Sequence, residues 1–300
     1  MTAVQRAAPP TLGGRDEWLA WRKFGIGASD VAALVGMSKW ASPMSVWTDK
    51  LGLTGGDDDN DFTEFGRRAE PMLTGYFEDR TGLTVRDQQA AVVHPDHEHH
   101  RCTLDGRAYE SEAGTVPLGP VEYKTTEFGA WSSIPDAYAI QVQWQMHVDR
   151  AERAFFGVLH GKRFATYEVE RDDKVIGQLV EVVDRFWFDH VLTEKAPPAD
   201  SHEATGRALA AAFPDPVEAD VPLDDLLWAL GMREQAKAKA SEAKVEIARA
   251  ENAIKAALGD AEYGTVQGER VISWKQQNRD GYTVKPTTFR AIRYLGEKKP

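Results

Sequence analysis

The sequence predicts a mixed α/β fold, with one central sheet flanked by helices and a helical C-terminal extension that ends in a β-hairpin. Residues 83 to 170 carry β-branched and aromatic runs separated by turn residues and by one segment of helical spacing. Amphipathic helical patterns lie on both sides of this stretch. The order of helices, three strands, helix, two strands and helix favours helices packed on a single mixed sheet.

The composition is that of a globular chain with a sizeable core. Of 300 residues, 42% are hydrophobic and 28% are charged, and no run of about 18 apolar residues predicts a membrane helix. The single cysteine, Cys102, excludes an intrachain disulfide and a four-cysteine metal or iron–sulfur cluster, and it predicts a reducing, cytoplasmic location. The net charge of −11 argues against a protein that coats nucleic acid, but it is compatible with a carboxylate-rich metal site.

The helices before the sheet are predicted from spacing and caps. A short helix begins at Arg15, and the glycine-rich turn GIGASD follows, in which Ser29 or Asp30 is expected to cap the next helix. A third short helix and a solvated acidic loop at 54–61 precede a longer amphipathic helix that Gly82 ends.

Strands and helices then alternate. Three strands are predicted in LTVRDQQAAVVHP, HHRCTLDGRAYE and PVEYKTTE, and IPDAYAIQVQWQMHVD has helical spacing. Two further strands form a hairpin around Gly161-Lys162, and a strongly amphipathic helix follows from 172 to 194.

The proline pair at 197–198 marks a linker. We therefore predict three parts: a flexible tail over 1–14, the main domain over 15–195, and an accessory region over 202–300. The accessory region is rich in Ala, Lys and Glu and predicts long helices and then a β-hairpin. Residues 261–300 hold eight Lys or Arg and four acidic residues, so a solvated hairpin is predicted, with a DNA- or partner-contacting appendage as the alternative.

Three charged residues are predicted to lie together at one end of the strands. Glu122 and Lys124 are two apart on a strand, so their side chains leave the same face. Asp105 follows the preceding strand, and a hairpin would bring it alongside. A hard, oxygen-liganded ion such as Mg²⁺ would offset the repulsion of the two carboxylates. The alternative is a buried or half-exposed Glu–Lys pair with Asp105 as a turn residue.

Two helices add candidate site residues. Glu70 lies on the apolar side of its helix and is a natural extra metal ligand. The residues Gln141, Gln143 and Gln145 lie in a helix that otherwise faces the core, so at least one is expected to point inward. A solvated helix face is the alternative for these glutamines.

Four segments in order resemble a known family: Arg22 with GIGASD, GRRAEP, the LDG and VEYKTT pair, and IPDAYAIQVQWQM. Together they are similar to the YqaJ-type viral recombinases, which resemble lambda exonuclease within the PD-(D/E)xK nuclease superfamily. The resemblance covers roughly Trp18 to His190. It implies a restriction-endonuclease-like core, in which helices flank a central mixed sheet.

The resemblance also implies roles for the matching residues. Asp105 and Glu122 would be the central metal ligands, with the Tyr123 carbonyl as a third and Glu70 near a second metal. Lys124 would position the attacking water.

A pocket for the DNA 5′ phosphate is implied as well, and it would be lined by Arg22, Ser29, Thr103 and Gln141. Thr103 stands where the family often has serine, which keeps the hydroxyl. From the residues alone, Ser29 at a helix start in a glycine-rich turn supports an anion site. The alternative for Arg22 is an ion pair with a nearby acid such as Asp30.

The function that the resemblance implies is a Mg²⁺-dependent 5′–3′ exodeoxyribonuclease, in which Mn²⁺ substitutes. It would digest linear duplex DNA and expose 3′ strands for a single-strand annealing protein, in the host cytoplasm if phage-encoded. The lambda-like relatives imply a ring-shaped homotrimer. Alternatives are a helicase-associated RecB-like nuclease, an endonuclease, and a non-catalytic DNA-end binding protein. The intact Asp105, Glu122 and Lys124 argue against the last.

Other residues raise separate questions. A zinc site is one interpretation of four clustered histidines: His94, His97, His99 and His100. We interpret them as surface or outer-shell side chains, because His99 and His100 would point to opposite faces of a strand and zinc needs a convergent set. Cys102 is predicted to pack in the core, as are the tryptophans at 18, 21, 40 and 47. Contact with DNA is the alternative for these tryptophans, and Trp40 is the candidate for it.

Overall fold

The computed structural model describes residues 14–54, 61–126 and 131–277. The predicted tail except for Gly14, most of the acidic loop, and residues 278–300 of the accessory region therefore lie outside the described residues. The chain divides into two compact units, Met1–Pro214 and Asp215–Pro300.

The first unit contains seven α-helices among its described residues. Their bounds are α1 Arg15–Arg22, α2 Ala28–Leu34, α3 Pro43–Lys50, α4 Asp61–Thr81, α5 Asp136–Asp149, α6 Asp173–Phe186 and α7 Glu203–Ala212. A π-helical turn, Trp187–Val191, continues α6. The α6 cap is Asp172, whose side chain accepts hydrogen bonds from the backbone amides of Lys174 and Val175.

The start of α2 differs from the prediction. Its N-cap is Gly27, so Ser29 lies within the first turn. The side chain of Asp30 accepts a 2.9 Å hydrogen bond from the Gly27 amide. This bond turns the carboxylate of Asp30 back toward the glycine-rich turn.

Seven strands belong to the described part of the same unit. Their bounds are β1 Thr84–Arg86, β2 Ala90–His94, β3 His97–Leu104, β4 Gly106–Tyr109, β5 Gly119–Thr126, β6 Arg153–His160 and β7 Arg163–Glu170. Five of them form a sheet in the order β1–β4–β5–β6–β7, while β2 and β3 form a separate two-stranded sheet. Only the pair β5–β6 is parallel among these neighbours, so the central sheet is mixed.

The sequence predicted two strands where the structure has four shorter ones. Asp87 and Gln89 have φ angles of 54° and 57°, and this left-handed backbone separates β1 from β2. Asp105 lies between β3 and β4, where the chain passes from one sheet to the other. This interruption places Asp105 at the junction between β3 and β4, outside both strands.

The predicted α/β architecture, a central mixed sheet flanked by helices, is confirmed. Helix α4 covers one face and packs Leu73 and Phe77 against Val121 and Tyr123. Helix α5 covers the other face, where Val142 and Met146 join a second core cluster with Phe156 and Val158. Since parallel strands need a crossover connection, α5 is the helix that links β5 to β6.

Helix α7 extends the first unit beyond its predicted limit. It packs on α3, where Thr205 Oγ1 donates a 2.8 Å hydrogen bond to Ser42 Oγ and Ala208 is buried. The predicted boundary between residues 195 and 202 therefore lies inside this compact unit, which continues to Pro214.

The second unit begins with a 3₁₀ turn, Asp224–Leu226, and continues as the long helix α8, Leu227–Leu258. A hairpin follows, β8 Tyr263–Val266 and β9 Glu269–Ser273. Gln267 and Gly268, both at positive φ, form the turn of this hairpin. Within the described part of the chain, every helix is too short or too polar to cross a membrane.

Gly157 allows the two central strands to pack against their aromatic neighbours. It pairs with Tyr123 across the parallel ladder. A Cβ at this position would lie 2.8 Å from ring atoms of both Tyr123 and Phe164. Only a residue without a side chain fits between the two rings.

We expect Gly157→Ala to destabilise the protein by about 1–3 kcal/mol, because the added methyl forces both rings to move. Gly177→Ala is the matched control, since a methyl group added at Gly177 in α6 would meet no atom within 4 Å and alanine favours helix. Urea denaturation measures both. Equal midpoints for the two variants would contradict the close-packing argument.

Candidate functional site

Asp105 and Glu122 meet at the centre of the fold. Asp105 follows β3, and its Oδ2 accepts a 2.8 Å hydrogen bond from the Tyr123 amide. Glu122 lies in the middle of β5 and is only 4% exposed. Strand alternation turns Val121 and Tyr123 toward α4 and Glu122 toward α5. The structure thus brings the predicted aspartate and glutamate to one place.

Three donors hold the buried Glu122 carboxylate. Lys124 Nζ lies 2.5 Å and Gln141 Nε2 2.6 Å from its Oε1. Gln145 Nε2 donates a 2.6 Å bond to Oε2. The prediction that at least one glutamine of this helix points inward is confirmed. Lys124 also lies over the ring of Tyr138, 4.9 Å from its centre.

The charges in this cluster act on one another. Burial raises the pKa of Asp105 well above its usual value, and the negative charge of Glu122 adds to the effect. Burial alone would lower the pKa of Lys124, but the carboxylates of Glu122 and Asp105 raise it. Burial and then Glu122 also raise the pKa of Glu70, despite a 2.6 Å hydrogen bond from Gln89. The cluster therefore favours an added positive charge.

This donor set fits a hard divalent cation. Asp105, Glu122 and Glu70 offer carboxylate oxygens, and the Tyr123 carbonyl lies in the same strand segment. Oxygen ligands of this kind suit Mg²⁺, which keeps several waters and needs few protein ligands. The mutual repulsion of the carboxylates is what such an ion would relieve.

A pocket of about 80 Å³ opens next to this cluster. All four residues predicted to bind the 5′ phosphate line it: Arg22, Ser29, Thr103 and Gln141. Gln141 belongs to both places, because its amide also donates to Glu122. The carboxylate cluster and the pocket are thus physically continuous through one side chain.

Polar contacts order the walls of this pocket. Trp18 Nε1 donates a 2.9 Å hydrogen bond to Thr103 Oγ1. The Arg22 guanidinium lies over the Trp18 ring, 4.9 Å from its centre, and within 3.5 Å of Asp30 and 3.7 Å of Asp49. The ion pair considered as the alternative for Arg22 is therefore present, and Arg22 lines the pocket while making it.

Lys50 is a supporting residue that the sequence did not reveal. Its side chain is fully buried, and its Nζ lies 2.6 Å from Asp30 Oδ2 and 3.1 Å from the Arg22 carbonyl oxygen. Burial would raise the pKa of Asp30, but Lys50 and then Arg22 hold it below its usual value. In the sequence Lys50 looks like an ordinary basic residue at a helix end.

The histidines differ from their predicted surface placement. His100 is fully buried, so the surface interpretation is wrong for it. His99 and His100 do not diverge either, because their Nε2 atoms lie 2.7 and 2.8 Å from the same Asp184 oxygen. Burial lowers the pKa of His100 to about 4. Cys102 is buried in the core as predicted, but Trp40 is 81% exposed, so the core prediction is wrong for this tryptophan.

The fold and the carboxylate cluster define a mixed α/β protein with a site suited to a divalent cation. Residues 17–153 match the YqaJ-like viral recombinase domain. The uncharacterized protein YqaJ of Bacillus subtilis (strain 168) is 32% identical over 274 residues, which cover 87% of this chain and 83% of that protein. The chain therefore belongs to the YqaJ-like viral recombinase family.

Solved structures give more distant similarities. An alkaline exonuclease from Laribacter hongkongensis, LHK-Exo, is 22% identical with a TM-score of 0.49, over 60% of this chain and 94% of that one. A phage-related exonuclease from Haemophilus somnus 129PT is 14% identical with a TM-score of 0.43, over 57% and 96% of the two chains.

We expect Lys50→Met to destabilise the protein by about 3–5 kcal/mol, because it leaves the Asp30 carboxylate buried without its nearest cation. The double variant Lys50→Met/Asp30→Asn removes that charge and is expected to recover part of the loss. Urea denaturation of both variants checks this. A double variant less stable than the single one would refute the account.

Proposed function

We propose that this chain is a Mg²⁺-dependent deoxyribonuclease that digests linear duplex DNA from its 5′ ends. The observation that carries the proposal is the convergence of Asp105, Glu122 and Lys124 beside a pocket lined by the four predicted phosphate-binding residues. Membership of the recombinase family supports the same conclusion.

The proposed chemistry is hydrolysis of a phosphodiester. Asp105 and Glu122, with Glu70 and the Tyr123 carbonyl, would hold the ion. When bound, Mg²⁺ supplies positive charge to the phosphate oxygens and lowers the pKa of a water. Mn²⁺, which prefers similar oxygen ligands, is expected to substitute.

The protein's own side chains fix the geometry for this reaction. Gln141 and Gln145 hold the Glu122 carboxylate from two sides, so it keeps one orientation. Lys124, which forms an ion pair with Glu122, would orient the attacking water and stabilise charge on the phosphate. Gln145 is fully buried, so its contact excludes bulk water from that side of the carboxylate.

The adjacent pocket is proposed to hold the terminal 5′ phosphate. Arg22 offers a planar charged donor, and Ser29 and Thr103 offer hydroxyls. Asp30 and Asp49 lie near Arg22 and hold its guanidinium at the pocket wall. The charged donor of Arg22 and the two hydroxyls suit a terminal dianion better than an internal monoanionic diester.

Several partners follow from the family resemblance alone. We propose that the digested duplex is passed as a 3′ single strand to an annealing protein, and that the chain assembles as a homotrimer in the cytoplasm, which is the host cytoplasm if the chain is phage-encoded. Trp40 is proposed to contact DNA, since its side chain is 81% exposed.

We expect Lys124→Ala and Asp105→Ala each to abolish cleavage while the protein stays folded, because each removes a group that stabilises the transition state. Lys162→Ala, which removes an equal charge in the exposed β6–β7 turn, is the control for Lys124. Digestion of linear duplex with Mg²⁺, followed on gels, measures the rates. Circular dichroism checks folding, and near-normal cleavage by either site variant would refute the assignment.

We also expect Asp105→Ala to raise the free energy of unfolding slightly in the absence of divalent cations. Burial and Glu122 raise the pKa of Asp105, so its charged form is disfavoured in the folded state. Urea denaturation in chelator near neutral pH measures the change. A clear loss of stability would show that the hydrogen bond from the Tyr123 amide outweighs the carboxylate repulsion.

We expect 5′-phosphorylated linear duplex to be digested about 10- to 150-fold faster than 5′-hydroxyl duplex, which corresponds to a charge-assisted bond of about 1.5–3 kcal/mol. Arg22→Ala should remove this preference, whereas its exposed neighbour Lys23, changed to alanine, should keep it. Initial rates on the two substrates decide the matter. Equal rates with the unaltered protein would exclude the pocket as a phosphate site.

Topology of the substrate separates the proposed exonuclease from the alternatives. Linear duplex but not closed circular duplex should be digested, and only with Mg²⁺ or Mn²⁺. Cleavage of circles would favour an endonuclease. Binding to ends without cleavage would favour a non-catalytic end-binding protein.

A further inference from the structure

A cluster of imidazoles lies outside the carboxylate site. It is built by four elements and contains five histidines and one aspartate: His94 of β2; His97, His99 and His100 of β3; His147 of α5; and Asp184 of α6. The rings of His97 and His100 stack at 4.5 Å, as do those of His94 and His147. The proposed nuclease chemistry uses none of these side chains.

Three of these residues converge as metal ligands would. One ligand atom each from His97, His100 and Asp184 lies within 4.8 Å of the other two. The separation between His100 Nε2 and Asp184 Oδ1 is 2.8 Å. Ligands that sit about 2.0–2.1 Å from zinc at tetrahedral angles are about 3.3 Å apart. Because the His97 and His100 rings are stacked only 18° from parallel, His97 would also have to rotate out of this stack; that rotation, with shifts of about one ångström, would centre all three on one ion.

The surrounding contacts have the form of an outer ligand shell. If His100 Nε2 faces the ion, its other nitrogen, Nδ1, is free to donate to His147 Nε2, which lies 3.0 Å away. His99 Nε2 lies 2.7 Å from the same Asp184 oxygen and holds the carboxylate in place. Metal-bound histidines commonly use the second ring nitrogen in this way.

The chemistry of the set selects the kind of ion. Two imidazole nitrogens and one carboxylate suit Zn²⁺ and not Mg²⁺, which prefers oxygen ligands throughout. Asp184 is about one-third exposed, whereas His100 is fully buried, so an ion could enter from the α6 side. This differs from the all-oxygen donor set around Asp105.

We propose that His97, His100 and Asp184 bind a Zn²⁺ ion that cross-links the β2–β3 hairpin to α6, with water completing the coordination. The hairpin is not part of the five-stranded sheet, so such a link would attach this separate two-stranded sheet to α6. An ion that binds only the folded state also stabilises it. The proposal does not depend on the nuclease activity.

Metal content and cobalt spectroscopy test the site on the full chain. After chelator treatment, incubation with Zn²⁺ and dialysis, we expect one tightly bound Zn²⁺ per chain by elemental analysis, and a further rise in Tm when Zn²⁺ is added to protein already saturated with Mg²⁺. Co²⁺ in place of Zn²⁺ should give intense visible bands of a tetrahedral nitrogen-ligated ion. Failure to bind Zn²⁺ would overturn the proposal and leave a hydrogen-bonded histidine network.

Variants locate the ion. His97→Gln and Asp184→Asn, both at partly exposed positions, should each weaken Zn²⁺ binding at least tenfold. His190→Gln, outside the cluster, and Glu122→Gln, in the carboxylate site, should leave it unchanged. Folding is checked by circular dichroism, and Asp184→Asn serves if His97→Gln does not fold. Zinc binding that survives both cluster variants, or that Glu122→Gln abolishes, would refute the assignment.

Discussion

A buried carboxylate in the central strand constrains how the neighbouring elements of this structure pack. Glu122 is almost inaccessible, so its charge must be compensated by donors within the fold. Helix α5 supplies two of them and Lys124 the third. The face of α5 that packs on the sheet must therefore include these two glutamines as well as apolar residues. This requirement fixes the rotation of α5 and the floor of the neighbouring pocket.

A second buried charge pair plays the corresponding part at the N-terminal side. Lys50 of α3 joins Asp30 of α2, and Asp30 in turn lies beside Arg22 at the end of α1. These ion pairs fix the positions of the three short helices α1, α2 and α3 relative to one another. Asp30 lines the pocket, and Lys50 of α3 holds its carboxylate in place. The pocket wall therefore depends on α3.

The sequence predicted what depends on local periodicity and missed what depends on distant partners. The alternation of side chains along a strand correctly predicted that Glu122 and Lys124 share one face. Helical spacing correctly predicted the positions of α4 and α5 in the sequence. The break around Asp87 and the separate strand β4 after Asp105 were missed, because single left-handed or unpaired residues leave little trace in a hydrophobic pattern. Lys50 and the His100–Asp184 contact were missed since their partners lie 20 and 84 residues away.

The pairing of β5 with β6 has consequences for truncated fragments of the chain and for its folding during synthesis. The family match ends at residue 153, where β6 begins, so a fragment trimmed to it loses β6 and β7. Strand β5 would then become an open edge with bare backbone donors, a template for aggregation. On the ribosome the same edge stays unpaired until β6 has emerged. Strand β6, itself paired with β7, therefore covers the edge of the strand that carries Glu122.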